Sequence, residues 1–164
     1  MRILEHDQIK IRVKRLAIEI LENNLDEQEI ILAGINSSGY VFAGLIYEEL
    51  KTKASIPVIL TKIRLNPAQP LTEPIETEKE IPFYDGKTII VIDDVANTGR
   101  TIFYACKPFL EVLPKKIEVA VLVDRSYKSF PIKVDYKGLS LATTFQEHIK
   151  ANLKDLNNIT VDVV

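Results

Sequence analysis

From residue 88 to residue 101 the chain reads Thr-Ile-Ile-Val-Ile-Asp-Asp-Val-Ala-Asn-Thr-Gly-Arg-Thr. An apolar run ends on two adjacent carboxylates. A short polar turn with Thr98-Gly99 comes next, and a helical pattern begins at Thr101. This order predicts strand, turn and helix. It sets Asp93 and Asp94 at the C-terminal end of a strand and free backbone N–H groups at the start of a helix. Those N–H groups and the helix dipole favour an anion. The carboxylates favour hydroxyls or a metal ion. A sugar phosphate with free ring hydroxyls satisfies both halves. For a bare Asp-Asp pair the plainer reading is a solvated turn with Asp94 as a helix cap.

The rest of the chain repeats the same alternation. Residues 7–23 carry Ile9, Val13, Leu16, Ile20 and Leu21 at helical spacing, with Asp7 as the expected cap. Residues 29–35 form a short apolar strand, and Asn36-Ser37-Ser38-Gly39 reads as a turn. A second helix is expected over 40–53, with Val41, Ala43, Gly44, Leu45 and Leu50 inward, then a strand over 56–63. Strand, helix, strand in this order argues for right-handed parallel crossovers. After the 87–92 strand, the next helix places Ile102, Ala105, Cys106, Phe109, Leu110 and Leu113 on one side, with Pro108 predicting a kink or early fraying. Further strands are expected over 117–123, 134–136 and 158–164. The fold class is therefore α/β, a central, mostly parallel sheet flanked by helices. Ligands in such sheets lie beyond the C-terminal strand ends, where residues 34–39, 93–101 and 124–128 gather.

Residues 65–86 differ. They carry Pro67, Pro70, Pro74 and Pro82 among Thr and Glu and have little periodicity. The first three prolines forbid a central strand, though they can flank an edge ribbon. A segment this long is functional or mobile, and a hood or lid is the expectation.

A length of 164 residues suits one domain, here 1–164. No apolar run is long enough to span a bilayer. Charges at Arg2, Glu5 and Asp7 come too early for a signal peptide. The single Cys106 excludes an internal disulfide, which fits a reducing cytoplasm, and its apolar setting favours packing over nucleophilic work. A net charge of −2 gives no bulk attraction to nucleic acid. Lys10, Arg12, Lys14 and Arg15 are spread around the first helix. His6 and His148 have no metal-ligand spacing.

The pattern of apolar strand, Asp93-Asp94, three residues, Thr98-Gly99, one residue and Thr101 resembles the phosphoribosyl-diphosphate (PRPP) signature of type I phosphoribosyltransferases. Ala120-Val121-Leu122-Val123-Asp124-Arg125 and Pro131-Ile132-Lys133-Val134-Asp135-Tyr136-Lys137-Gly138 extend the likeness. They are similar to the PyrR branch, pyrimidine-operon regulators that also act as uracil phosphoribosyltransferases, and to hypoxanthine-guanine enzymes. The resemblance implies the type I fold with a small hood, a homodimer or higher homo-oligomer, Mg²⁺ as cofactor, and PRPP with a nucleobase or nucleotide as ligands.

Residue by residue, it implies that Asp93 and Asp94 bind the ribose hydroxyls. Val95, Ala96, Asn97, Thr98, Gly99, Arg100 and Thr101 would hold the 5′-phosphate. Asn36, Ser37, Ser38 and Gly39 would form the diphosphate loop. Asp124 would hold Mg²⁺ through water, and Arg125 would reach the diphosphate or else pair with a surface acid. Arg64 matches a catalytic hood position. Val134, Asp135 and Tyr136, with Ala142-Thr143-Thr144, would border the base, Tyr136 having core packing as its other reading. Two departures stand out. The first loop carries no charge where the branch has basic residues, and Leu65-Asn66-Pro67-Ala68 does not match the family hood. Uracil phosphoribosyl transfer is the first reading. Nucleotide binding without turnover and an RNA-binding regulator come after it, RNA being disfavoured by charge. A Rossmann dehydrogenase is disfavoured by the lack of Gly-x-Gly-x-x-Gly.

Overall fold

Consecutive residues of a strand point to opposite faces of its sheet, and here both faces are buried. In the computed structural model, which describes residues 1–142, 144 and 146–164, strand β2 (Ile30–Ile35) splits in this way. Ile30 and Leu32 pack in one core, Ile31, Ala33 and Ile35 in another. Strands β5 (Thr88–Ala96) and β6 (Lys116–Arg125) divide alike: Ile90, Ile92, Ala120 and Leu122 on one side, Ile89, Val91, Val119 and Val121 on the other. Such strands need cover on both sides, which is the habit of parallel sheets. Each fully buried aliphatic side chain contributes about 1.5–3 kcal/mol.

The main sheet also contains β3 (Val58–Arg64), β4 (Glu76–Thr77) and β7 (Tyr136–Leu141). Its order is β4-β3-β2-β5-β6-β7, all parallel except the short edge strand β4. Helices α1 (His6–Asn23) and α2 (Asn36–Lys53) cover one face with Ile9, Val13, Leu16, Ile20, Phe42, Ile46 and Leu50. Helix α3 (Arg100–Ala105) and the 3₁₀ turn Lys107–Glu111 cover the other. A second sheet, β1 (Arg2–Leu4), β9 (Thr160–Val163) and β8 (Ile149–Asn152), is antiparallel and joins the two ends of the chain.

Several sequence expectations change. Helix α1 starts one residue early, on a capping box between Glu5 and Gln8, so Asp7 is a first-turn acid rather than the cap. Asn36-Ser37-Ser38-Gly39 is no turn but the first turn of α2. Strand β5 runs through Asp93-Asp94 to Ala96, because β6 supplies a partner as far as Asp124. Leu110 and Leu113 are 77% and 83% exposed, since α3 stops at Ala105 ahead of Pro108 and the helical phase is lost. Strand β7 begins only at Tyr136. The last strand pairs in the small sheet rather than the main one. Within residues 65–86, β4 is the edge ribbon the prolines allow, and the 3₁₀ turn Ile81–Tyr84 anchors the end, with Tyr84 fully buried against Thr61 and Phe109.

Candidate anion and carboxylate site

The parallel register brings the C-terminal ends of β2, β5 and β6 side by side. The segments leaving these three strands therefore meet in one place. After β5, Asn97 to Gly99 turn sharply into α3. Gly99 has φ +87°, and a Cβ there would lie 3.1 Å from Ile132 Cβ, so no other residue suits the turn. The turn is held from behind, where Thr98 O accepts the backbone N–H groups of Ser129 and Phe130 at 3.0 and 3.1 Å. Thr98 Oγ1 accepts Arg100 N–H at 3.3 Å. Asp93 and residues 95–102 line a small, half-open pocket. Its wall is loop backbone with the hydroxyls of Thr98 and Thr101, a setting suited to a phosphate.

Helix α2 supplies a second set of N–H groups. No side chain caps its first turn, and that turn carries no acid. Gly39 lets it approach the carboxylates closely. A Cβ at Gly39 would sit 2.8 Å from Ile92 O and 3.1 Å from Asp93 Oδ1. Asn36 sits in the left-handed region at φ +53°, which Asn tolerates better than most residues. Its amide clamps the chain beyond β3. Nδ2 donates to Leu65 O at 3.0 Å and Oδ1 accepts Leu65 N–H at 3.1 Å. Asn36 is thus a structural tie, which leaves Ser37, Ser38 and the backbone to face a ligand.

Asp93 and Asp94 lie between the two N–H sets. Asp93 Oδ1 accepts Asp94 N–H and Asp94 Oδ1 accepts Val95 N–H, both at 2.9 Å. Asp93 is buried, and burial first, then the neighbouring Asp94 charge, pushes its pKa well above the usual carboxylate range. Asp94 is half-buried and opens onto a cleft shared with Asn36, Ser38, Thr101 and Lys150.

Asp124 stands at the end of β6 with two ammonium groups on it, Lys128 at 2.7 Å and Lys137 at 3.5 Å. Lys128 also bonds Arg125 O. Arg125 reaches Asn97 Oδ1 at 3.2 Å and Thr144 O at 2.5 Å, so it lies beside the phosphate turn. Arg64 is exposed at the C-terminal end of β3, opposite Glu76 on the edge strand β4. Val134 packs in the α3-side core, and Asp135 Oδ2 accepts Val119 N–H at 2.8 Å. The Tyr136 ring is 2% exposed, donates to Glu118 at 2.9 Å and accepts from Asn24, so its side chain belongs to the core. Of the three only backbone remains to offer a base. Thr143 lies outside the described residues.

Reasoning from sequence missed Lys150. It lies on β8, whose alternation Ile149-Lys150-Ala151-Asn152 is only four residues long, and only the pairing of β8 with β9 brings it to the cleft.

Among the described residues no cluster of three or more His, Cys, Asp or Glu could cage a metal alone. The Asp93-Asp94 pair keeps unshared carboxylate oxygens and fits a Mg²⁺ ion that also takes ligand oxygens. Asp124, faced by two ammonium groups, fits poorly.

Two strand ends carrying N–H groups around a carboxylate pair give an α/β protein with a site suited to an anion next to hydroxyls or a cation. The chain matches the phosphoribosyl transferase domain over residues 1–155 and belongs to that family. It is 32% identical over 166 residues to the bifunctional protein PyrR of Halalkalibacterium halodurans, covering 96% of this chain and 92% of that one. It is 34% identical over 160 residues to PyrR of Elusimicrobium minutum, covering 93% and 89%. Among solved structures it resembles a hypoxanthine-guanine phosphoribosyltransferase of Bacillus anthracis, with TM-score 0.77, 21% identity and coverage of 100% and 96%. The hypoxanthine phosphoribosyltransferase of Trypanosoma cruzi gives 0.76 at 16% identity, covering 98% and 94%. These structural likenesses establish the type I fold.

Proposed function

We propose that this phosphoribosyltransferase moves ribose 5-phosphate from PRPP to a nucleobase, uracil first, giving the nucleoside monophosphate and diphosphate. The observation that carries the reading is the convergence of two helix starts on Asp93-Asp94, one at residues 36–39 with no side-chain cap and one at residues 97–101 where only Arg100 N–H meets a side chain, that of Thr98. The 97–101 array takes the 5′-phosphate. Asp93 and Asp94 take the ribose hydroxyls and stand near the cation that grows on the ring as the C1–diphosphate bond breaks. The α2 first turn faces the leaving group and stabilises its charge by fixed dipoles. The Asp93-Asp94 pair would hold magnesium, which when bound would supply charge neutralisation for the leaving diphosphate. Residues 66–75 serve as the lid that keeps water from this step.

Uracil is chosen because relatives at 32% and 34% identity are PyrR proteins, whose branch the motifs of this chain resemble. The same relatives make an RNA-binding regulator the second reading; on the first helix Lys10 and Lys14 are exposed, whereas Arg15 is engaged by Glu19 and by the carbonyls of Lys137 and Gly138. Homo-oligomerisation belongs to the same proposal; it would cover the exposed Leu110 and Leu113. The test is an assay with PRPP, Mg²⁺ and uracil, hypoxanthine, guanine, adenine or orotate, monitoring diphosphate release. Turnover with uracil above the other bases is expected. No diphosphate release with any base would overturn enzymatic transfer.

A further inference from the structure

We infer that Lys150 supplies the cation that the loop after β2 lacks, and that its ammonium binds the diphosphate of PRPP. The inference rests on the proposed phosphoribosyl transfer and deepens it by naming a specificity-determining residue on the small sheet. Three observations lead to it. First, Lys150 lines the cleft that holds Asp93, Asp94, Ser38 and Thr101, and also the adjoining cleft that holds Ser37, Ser38 and Val41. It thus stands where the carboxylate pair and the first turn of α2 meet. Second, its cross-strand neighbour Asp162 is engaged elsewhere. The Asp162 carboxylate takes Arg2 Nε at 3.0 Å and Asn152 Nδ2 at 2.9 Å. Among the described residues the Lys150 ammonium has no ion-pair or hydrogen-bond partner. Third, residues 36–39 offer dipoles and hydroxyls but no charge. A polyanion there would leave part of its charge unmatched unless a cation came from another element.

The ligand chemistry is that of a diphosphate attached to a sugar. A 5′-monophosphate alone is held at residues 97–101 and does not need Lys150. Lysine suits this work, because a compact ammonium on a flexible stem can track a group that leaves. A lysine merely solvated at the rim would change nothing when removed.

The two roles separate by calorimetry on the purified chain with Mg²⁺. The probes are PRPP, inorganic diphosphate, and the monophosphates of uridine, inosine and guanosine. Lys150→Met should weaken PRPP and diphosphate by about tenfold or more, the size of one charge-assisted contact. Monophosphate affinity should stay within about twofold, and Lys150→Arg should restore most of the PRPP affinity. Lys150 is exposed, so circular dichroism and the thermal midpoint should be unchanged. A folded Lys150→Met that binds PRPP as the native chain does overturns the inference and leaves the proposed function standing. So does an equal loss for PRPP and monophosphate, which would make Lys150 a prop for the cleft wall. If the native chain binds neither PRPP nor any monophosphate, the proposed function itself falls, and the inference with it.

Discussion

At the scale of single residues the cost of the site is clearest at Asp93. Its carboxyl is buried beside another carboxylate, and its pKa is raised. The folded chain therefore holds this proton more tightly than the unfolded chain. The stability it gives is complete below the ordinary carboxylate range and is withdrawn as pH rises above about 4. Asp93→Asn keeps an acceptor for Asp94 N–H and removes the charge. It should raise the thermal midpoint at pH 8, with the gain shrinking toward pH 4, while PRPP affinity collapses. A midpoint unchanged at pH 8 would mean that Asp93 is not strained by its charge. Gly39 is the second such residue. Gly39→Ala would drive a methyl into Ile92 O and Asp93. Overpacking of this kind costs about 1–3 kcal/mol, and moving α2 away should weaken diphosphate binding more than monophosphate binding. Urea melts and titrations of both ligands check this. Cys106 is the contrasting case. Burial alone raises its thiol to about 11, so it should react slowly with a thiol reagent at pH 7.5 and quickly only after unfolding.

At the scale of elements the informative segment is 65–86. Its prolines and missing periodicity were legible as a non-strand. Its anchoring was not, because Tyr84 packs against Thr61 and Phe109, contacts made across the fold. The structure narrows the part able to act as a lid. Glu76 and Thr77 pair with β3, and Glu78 N–H donates to Lys62 O at 3.0 Å, so these amides should be protected always. Residues 71–75 are exposed or half-buried, and among the described residues only the Thr72 N–H of this stretch meets a backbone acceptor outside helices and strands. Hydrogen exchange should be fast at 71–75 in the free chain and slower with PRPP and Mg²⁺. Equal exchange in both states would make the segment plain surface. The 36–39 stretch misled for the opposite reason. Ser-Ser-Gly is turn chemistry, yet α2 begins there, because Gly39 permits contact with β5 that no local rule anticipates.

At the scale of the whole molecule the sheet was readable and the roof was not. Apolar runs named β2, β5 and β6 because both their faces are buried, and helical spacing named the buried side of α1; on α2 it found Ala43 and Leu50 but put Val41, Gly44 and Leu45 where Phe42 and Ile46 are the buried residues. The small sheet pairs residues near positions 2, 150 and 162, a separation that hides any local pattern. Lys150 was invisible for that reason, whereas Asp93 to Thr101 was visible because its chemistry is contiguous. The Asn36 tie reaches beyond its own helix. Asn36 holds Leu65, and Arg100 Nη2 donates to Pro67 O at 2.7 Å. The first turn of α2, the start of α3 and residues 65–67 are thus fastened at two points, so under the proposed transfer a ligand held at one should change the freedom of the others. Such coupling is reciprocal: whatever monophosphate binding does to diphosphate affinity, diphosphate must do equally to monophosphate affinity. Breaking the tie with Asn36→Ala should shrink whatever coupling the native chain shows, measured by titrating diphosphate with and without bound monophosphate; an unchanged coupling would mean that the tie does not carry it.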